Sequence, residues 1–405
     1  MKINYLMNET YQKEVRNCPV CNNTEKQLLF QQNFTRISSG SLLDGYNVVA
    51  CKKCGFCFSE GIPNQEAFDK YYKEMSKYEK SAANPDESQY DVKRFQQIVE
   101  YIKFNIKNKN SYIVEIGCAT GLLLSLLKKD CYSNLLGIDP SPACVETVNK
   151  KYAIPSRTGT ISDLSSIAHD SIDLLILVGV MEHIRDLDLA LDEIRKVLKP
   201  DGKACIVVPD ASQYFNGKDA PFQEFSTEHI NFFGPISLTN LMAKHKFSKI
   251  RIDQQVFEVN YNTLTPAILS LFIKDNEVQL PNIFDEETVL NLKKYIANCH
   301  YDEKSIHNTI ENIYRENEPI IIWGTGAQTL RLLANTNLSK TNIIAFVDSN
   351  PKYQRNKLNN VPVLSPEELK NYRETILIST RAYQNEIEYQ IRGTLKLKNK
   401  IIKLF

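Results

Sequence analysis

The chain has 405 residues, a formal net charge of +1 and 42% hydrophobic residues. That length fits two or three domains with substantial cores, and the neutral balance gives no electrostatic reason to expect nucleic acid or an anionic membrane as partner. No apolar run approaches the roughly 20 residues of a membrane-spanning helix, and the first residues, Met1 to Glu9, lack the apolar core and small-residue cleavage site of a secretory signal. A cytoplasmic, monomeric protein is the expectation, and its ten cysteines then point to metal ligands or free thiols rather than disulfides.

The first element is a pair of knuckles, Cys18-Pro-Val-Cys21 and Cys51-Lys-Lys-Cys54, flanking a β-rich segment. Two cysteines three apart present both sulfurs to one ion, so the four residues predict a tetrahedral structural zinc site. Such a closed coordination sphere holds a small domain together and does no chemistry. The other cysteines are scattered, several of them in apolar strands, and read as small buried thiols. A helix is predicted around Glu66–Glu79, then a polar connector from Ser81 to Ser88 and a second helix around Val92–Ile102.

Tyr112-Ile-Val-Glu115-Ile-Gly117-Cys118-Ala-Thr-Gly121, followed by a leucine-rich run, predicts a buried strand, a glycine turn and a helix start. The next strand, Leu135–Ile138, ends in Asp139, a carboxylate placed where it can accept hydrogen bonds from a ribose diol. Ile172–Leu177 predicts a further strand leading into Glu182-His183-Ile184, and a helix then ends at the Leu198-Lys-Pro-Asp-Gly202 turn before the strand Lys203–Val208. After that strand comes Phe225-Ser-Thr-Glu228-His229, beyond the carboxyl end of the sheet where ligands bind. A histidine beside a carboxylate there can take a proton near neutral pH; His183 reads as pocket lining, and the remaining four histidines as surface or packing residues.

From about Phe257 a helical, weakly charged stretch is expected to connect to the last module, followed by an amphipathic helix over Thr288–Arg315. Pro319–Leu333 then repeats the strand, glycine turn and helix plan, with Asp348 at the next strand tip. Gly324-Thr-Gly326 and that acid invite a nucleotide-binding role, although a scaffolding role stays open and the third glycine of a dinucleotide loop is missing.

The order of glycine loop, ribose acid, Glu-His-Ile segment and Leu-Lys-Pro-Asp-Gly turn resembles the class I S-adenosylmethionine-dependent methyltransferases. The three parts together look like the sugar C-methyltransferases that act on nucleotide-linked keto-deoxysugars. That resemblance covers nearly the whole chain. It implies an α/β protein: residues 1–75 a zinc-binding module, 76–255 a Rossmann-like methyltransferase core, and 256–405 a C-terminal Rossmann-like substrate domain. It also implies that Glu115, Gly117, Cys118, Gly121 and Asp139 hold S-adenosylmethionine. In that family a Tyr-x-Glu-His motif supplies the base beside the sugar ketone; Glu228 and His229 match it, while Ser226 stands at the tyrosine position. Tyr78 is the match to a tyrosine that lines the family's pocket. The family's lysine after Gly-Ala is absent from Gly326-Ala-Gln-Thr-Leu-Arg331. These departures keep open methyl transfer to oxygen or nitrogen of another small molecule. A binding or scaffold protein would be expected to lose the glycine loop or Asp139, and both are present; an RNA methyltransferase would want a basic cluster near Cys18–Cys54.

Overall fold

The computed structural model describes residues 14–36, 42–74, 87–162, 164–279 and 283–405. Tyr78 and the domain boundary expected at 75/76 lie outside them. The N-terminal module is an antiparallel meander of β1 (Lys26–Asn33), β2 (Gly45–Cys51) and β3 (Cys57–Glu60), followed by helix α1 (Gln65–Glu74). Side chains alternate across a strand, and in β2 both faces are buried. Val48 and Ala50 pack into a core shared with the C-terminal part of the chain, Val49 and Cys51 into the core of the central sheet. The module is therefore wedged between the other two units.

The central unit opens with α2 (Gln89–Asn105) and then alternates β4 (Ile113–Ile116), α3 (Leu122–Lys129), β5 (Leu135–Asp139), α4 (Pro142–Tyr152) and β6 (Ser156–Thr158). It continues through β7 (Ile172–Val178), α5 (Leu187–Val197) and β8 (Leu198–Pro209). A two-residue strand, β9 (Asn231–Phe232), leaves this unit and pairs with β3 of the module. Next come α6 (Pro235–Lys244), β10 (Phe247–Asn260) and β11 (Thr263–Lys274). The seven strands lie in the order β10-β11-β8-β7-β4-β5-β6, with β11 antiparallel to both neighbours. Numbered from β4, that is 3-2-1-4-5-7-6, whereas the dinucleotide-binding sheet runs 3-2-1-4-5-6. The central strands carry apolar residues on both faces because helices cover both.

Two expectations are corrected here. The sheet runs on to Lys274, so the boundary drawn between 255 and 256 falls inside β10. The stretch after Phe257 is strand rather than helix: its residues alternate across a long antiparallel hairpin, and β11 is captured by the exposed edge of β8.

The last unit starts with the long helix α7 (Glu286–Glu316), capped by the Asp285 carboxylate, which accepts from the Thr288 backbone N–H. It is followed by β12 (Ile320–Trp323), α8 (Ala327–Asn335), β13 (Ile343–Val347), the short pair β14 (Lys357–Leu358) and β15 (Val361–Leu364), β16 (Thr375–Ile378), α9 (Gln384–Tyr389) and β17 (Ile401–Lys403). The strand order is β14-β15-β13-β12-β16-β17, parallel except for the β14–β15 pair. Among the described residues, no helix is long and apolar enough to cross a membrane.

Candidate active site

The turn after β4 sets the site. Gly117 and Gly121 have φ of +74° and +83°, and a Cβ on either would lie 2.6 Å from Val180 or 2.8 Å from Val148. Glycine is thus required both for the left-handed backbone and for the room. The turn is pinned to the end of β5: Gly117 N–H donates to the Ile138 carbonyl at 2.7 Å, and the Asp139 carboxylate accepts from Ala119 N–H at 2.8 Å and Ser141 N–H at 2.9 Å. Burial raises the Asp139 pKa, an effect those two N–H groups oppose. Glu115 lies beneath the turn, 3% exposed, and its Oε2 has no hydrogen-bond partner among the described residues. Burial, and secondarily Asp139, pushes its carboxyl up to about 8. Cys118 is buried in the turn, and its thiol is raised by burial and by Glu115.

Glu115, Gly117, Cys118 and Asp139 line one cavity of about 310 Å³ that extends to Glu182, His183 and Glu228, while Gly121 shapes the turn without lining it. The far wall is built by a single 3-10 turn, Met181–His183, and by the segment before β9. The two are laced together: Ile230 N–H donates to the Glu182 carbonyl at 2.9 Å, and the Asn231 side-chain amide donates to the Met181 and Ile184 carbonyls at 2.9 and 2.7 Å. Glu228 accepts from the Tyr71 hydroxyl at 3.1 Å, and His183 Nδ1 lies 3.0 Å from the Tyr72 hydroxyl and 3.1 Å from the Glu228 carbonyl. Burial and Glu228 push the Tyr71 phenol well above its usual range, so it keeps its proton as a donor. His229 does not itself line the cavity; its ring meets that of His183 edge to face, with centroids 5.0 Å apart. Ser226 closes the turn instead of offering a phenol, its hydroxyl accepting from the N–H groups of Glu228 and His229 at 3.2 Å each.

Tyr71 and Tyr72 were not singled out by sequence reasoning. The only signal was a Tyr-Tyr pair on an aromatic-rich helix, with nothing local to say which part of the sheet that helix meets. Among the histidines read as packing, His245 is buried between two carboxylates, Asp192 at 3.0 Å and Asp188 at 2.9 Å.

In the module, Cys18 Sγ lies 3.5 Å from Cys54 Sγ and Cys21 Sγ 3.4 Å from Cys51 Sγ, with all four sulfurs within 4.8 Å of one another. Sulfurs each 2.3 Å from a tetrahedral ion stand roughly 3.8 Å apart. The donor set fits one such ion, and Lys53 N–H and the Asn23 amide point at Cys51 Sγ.

Residues 90–252 match a family model described as a methyltransferase domain, and residues 316–402 one described as C2185-like, N-terminal. A probable S-adenosylmethionine-dependent methyltransferase of Mycolicibacterium smegmatis is 28% identical over 120 residues, 29% of this chain and 46% of that protein. An uncharacterised methyltransferase of Schizosaccharomyces pombe is 24% identical over 161 residues, 36% and 56% of the two chains. The chain thus spans about half the length of the curated relatives it matches. Among solved structures, the magnesium protoporphyrin IX methyltransferase of Synechocystis with bound S-adenosylhomocysteine aligns with a TM-score of 0.42 at 10% identity, covering 52% of this chain and all of that one. A Pyrococcus horikoshii protein aligns at 0.38 and 19% identity, over 46% and 92%.

The antiparallel strand inserted between the fifth and sixth positions, together with the glycine turn over an acidic strand tip, defines a class I methyltransferase fold. The central unit is the part that matches the methyltransferase-domain model, and the Mycolicibacterium smegmatis protein similar to part of it is a probable S-adenosylmethionine-dependent methyltransferase.

Proposed function

We propose that the protein transfers a methyl group from S-adenosylmethionine to a nucleotide-linked keto-deoxysugar, at the carbon beside the ketone. The observation that carries this is the shared cavity: the glycine turn and Asp139 stand at one end, and Glu228, His183 and Tyr72 at the other. Gly117, Gly121 and Asp139 would hold the cofactor, which when bound supplies an already activated methyl group. The chain then has to orient the acceptor, keep water out and accept the proton that leaves it. Glu228, held by the Tyr71 hydroxyl, and the paired rings of His183 and His229 are the groups at hand for that proton, with Tyr72 as donor toward a developing oxyanion. The C-terminal sheet supports a nucleotide partner, because its turn repeats the first: Asp348 accepts from Thr325 N–H at 3.0 Å and Asn350 N–H at 2.8 Å. The four cysteines hold a structural zinc in this reading.

The serine turn favours a second reading. With Ser226 in place of a phenol, the acceptor end keeps fewer oxyanion donors, which suits an oxygen nucleophile on another small molecule. Calorimetric titration with S-adenosylhomocysteine, followed by TDP, UDP, GDP or CDP, tests both. A nucleotide that binds with a Kd below millimolar supports the sugar-nucleotide acceptor; binding of the cofactor product alone transfers the proposal to the second reading. Transfer of a labelled methyl group to a keto-deoxysugar nucleotide, lost in His229→Asn, is the expected activity result.

A further inference from the structure

Glu182 and His183 are consecutive in one tight turn, and the lacing of β9 to that turn places His229 beside them. One donor atom from each of the three lies within 4.8 Å of the others, with His183 Nε2 3.9 Å from Glu182 Oε1. Ligands roughly 2.1 Å from a metal ion stand roughly 3 to 3.5 Å apart, so side-chain rotations of about 1 Å complete the set. The 3.1 Å contact between His183 Nδ1 and the Glu228 carbonyl, beside the Tyr72 hydroxyl at 3.0 Å, fits the tautomer protonated at Nδ1, which makes Nε2 the ligating atom. A backbone carbonyl holding the far nitrogen is the usual support of a metal-bound imidazole.

We infer that Glu182, His183 and His229 bind one divalent first-row transition-metal ion at the acceptor end of the cofactor cavity, separate from the four-cysteine cluster. Two imidazoles and one carboxylate suit manganese, iron, cobalt, nickel or zinc and leave coordination positions open. Glu182 and His183 line the cavity and His229 does not, so the ion sits on the wall with its open side toward the acceptor. This inference rests on the proposed methyltransferase function, whose acceptor it narrows to a compound with two neighbouring oxygens, such as a ketone beside a hydroxyl. Both oxygens then coordinate the ion. The ion would lower the pKa of the acceptor's proton, the Glu228 carboxylate would accept it, and His229 would act as a ligand instead of a free base.

The test uses the full chain loaded with one equivalent of zinc, so that the thiolates are filled. Mn²⁺ is titrated in and free ion followed by electron paramagnetic resonance, with S-adenosylhomocysteine affinity measured in parallel by calorimetry. The expected result is one Mn²⁺ bound per chain, at least 10-fold more weakly in His229→Ala and Glu182→Gln, while both variants still bind S-adenosylhomocysteine. Wild-type protein that binds no stoichiometric Mn²⁺, or variants that bind it equally well, would overturn the site. A second readout needs no variant: Co²⁺ added to the zinc-loaded chain should give weak d–d bands without thiolate charge transfer, and thiolate bands alone count against the site. Binding of Mn²⁺ without any binding of S-adenosylhomocysteine would keep the ion site and remove the cofactor reading beneath it.

Discussion

The hydroxyl of Tyr72 stands 3.0 Å from Nδ1 of His183, 111 positions further along the chain. A helix of the N-terminal module thereby touches the far wall of the cavity in the central unit, and Tyr71 on the same helix reaches Glu228. Replacing Tyr72 by phenylalanine removes one hydrogen-bonding group and little volume. The loss of one such bond is worth about 1 kcal/mol, so turnover should fall roughly 5- to 10-fold. S-adenosylhomocysteine affinity, measured by calorimetry, should stay within about twofold, because the hydroxyl faces the acceptor end. An equal fall in both quantities would place Tyr72 in the cofactor wall instead.

Glu115 provides a pH signature. Its carboxyl is pushed up to about 8 by burial and by Asp139, against an unfolded reference of 4.5. Between those values the folded chain holds a proton that the unfolded chain has released, so Glu115 makes stability fall as pH rises from about 4.5 to 8. Glu115→Gln should flatten that fall in the unliganded protein, visible as a higher Tm at pH 8 than wild type and a smaller gain at pH 5. Cationic S-adenosylmethionine favours the carboxylate, so its binding near pH 6.5 should release close to one proton. Calorimetry in buffers of different ionisation enthalpy measures that number, and a value near zero in wild type would show Glu115 already ionised.

Much of the central fold was legible because it is local. A buried β-branched strand, two glycines at a forced backbone and an acid at the next strand tip all lie within about thirty residues, and each has one physical explanation. What the sequence concealed depends on distant partners. The stretch from about Phe257 reads as helical, yet its first residues end β10 and the open edge of β8 turns Thr263–Lys274 into the seventh strand. Val48 and Val49 look like any strand pair, and nothing local shows that β2 is buried on both faces. Tyr71 and Tyr72 gain their roles only once α1 lies across the end of the sheet.

The cysteine cluster makes a separate prediction. Its residues join the core of the central sheet through Cys18, Val20, Phe56 and Phe58. The carbonyl of Cys54 accepts from Asp285 N–H at 2.9 Å, where α7 begins. Loss of the ion should therefore loosen more than the module. Purified protein is expected to hold one zinc through these thiolates, and Cys51→Ser or a strong chelator should lower Tm by about 10 °C or more. Hydrogen exchange should rise at both the knuckles and the first turn of α7. Protection unchanged at Asp285–Leu292 after metal removal would mean that α7 is held independently of the cluster.

The join between α7 and α8 rests on a buried ion pair. Glu303 and Arg331 form a salt bridge with both side chains 5% exposed, and the guanidinium lies over the Phe222 ring, 4.3 Å from its centre. Removing one partner strands the other charge in the core, which costs about 3 to 5 kcal/mol. Glu303→Leu alone should lower the Tm of the unit by about 10 °C. Adding Arg331→Met removes the stranded charge while keeping an apolar side chain of similar length, so the double variant should recover most of that loss. Differential scanning calorimetry of wild type, both single variants and the double variant closes the cycle. Additive losses would show the pair to be uncoupled. Recovery would show that the charges specify how the two helices meet while adding little to stability.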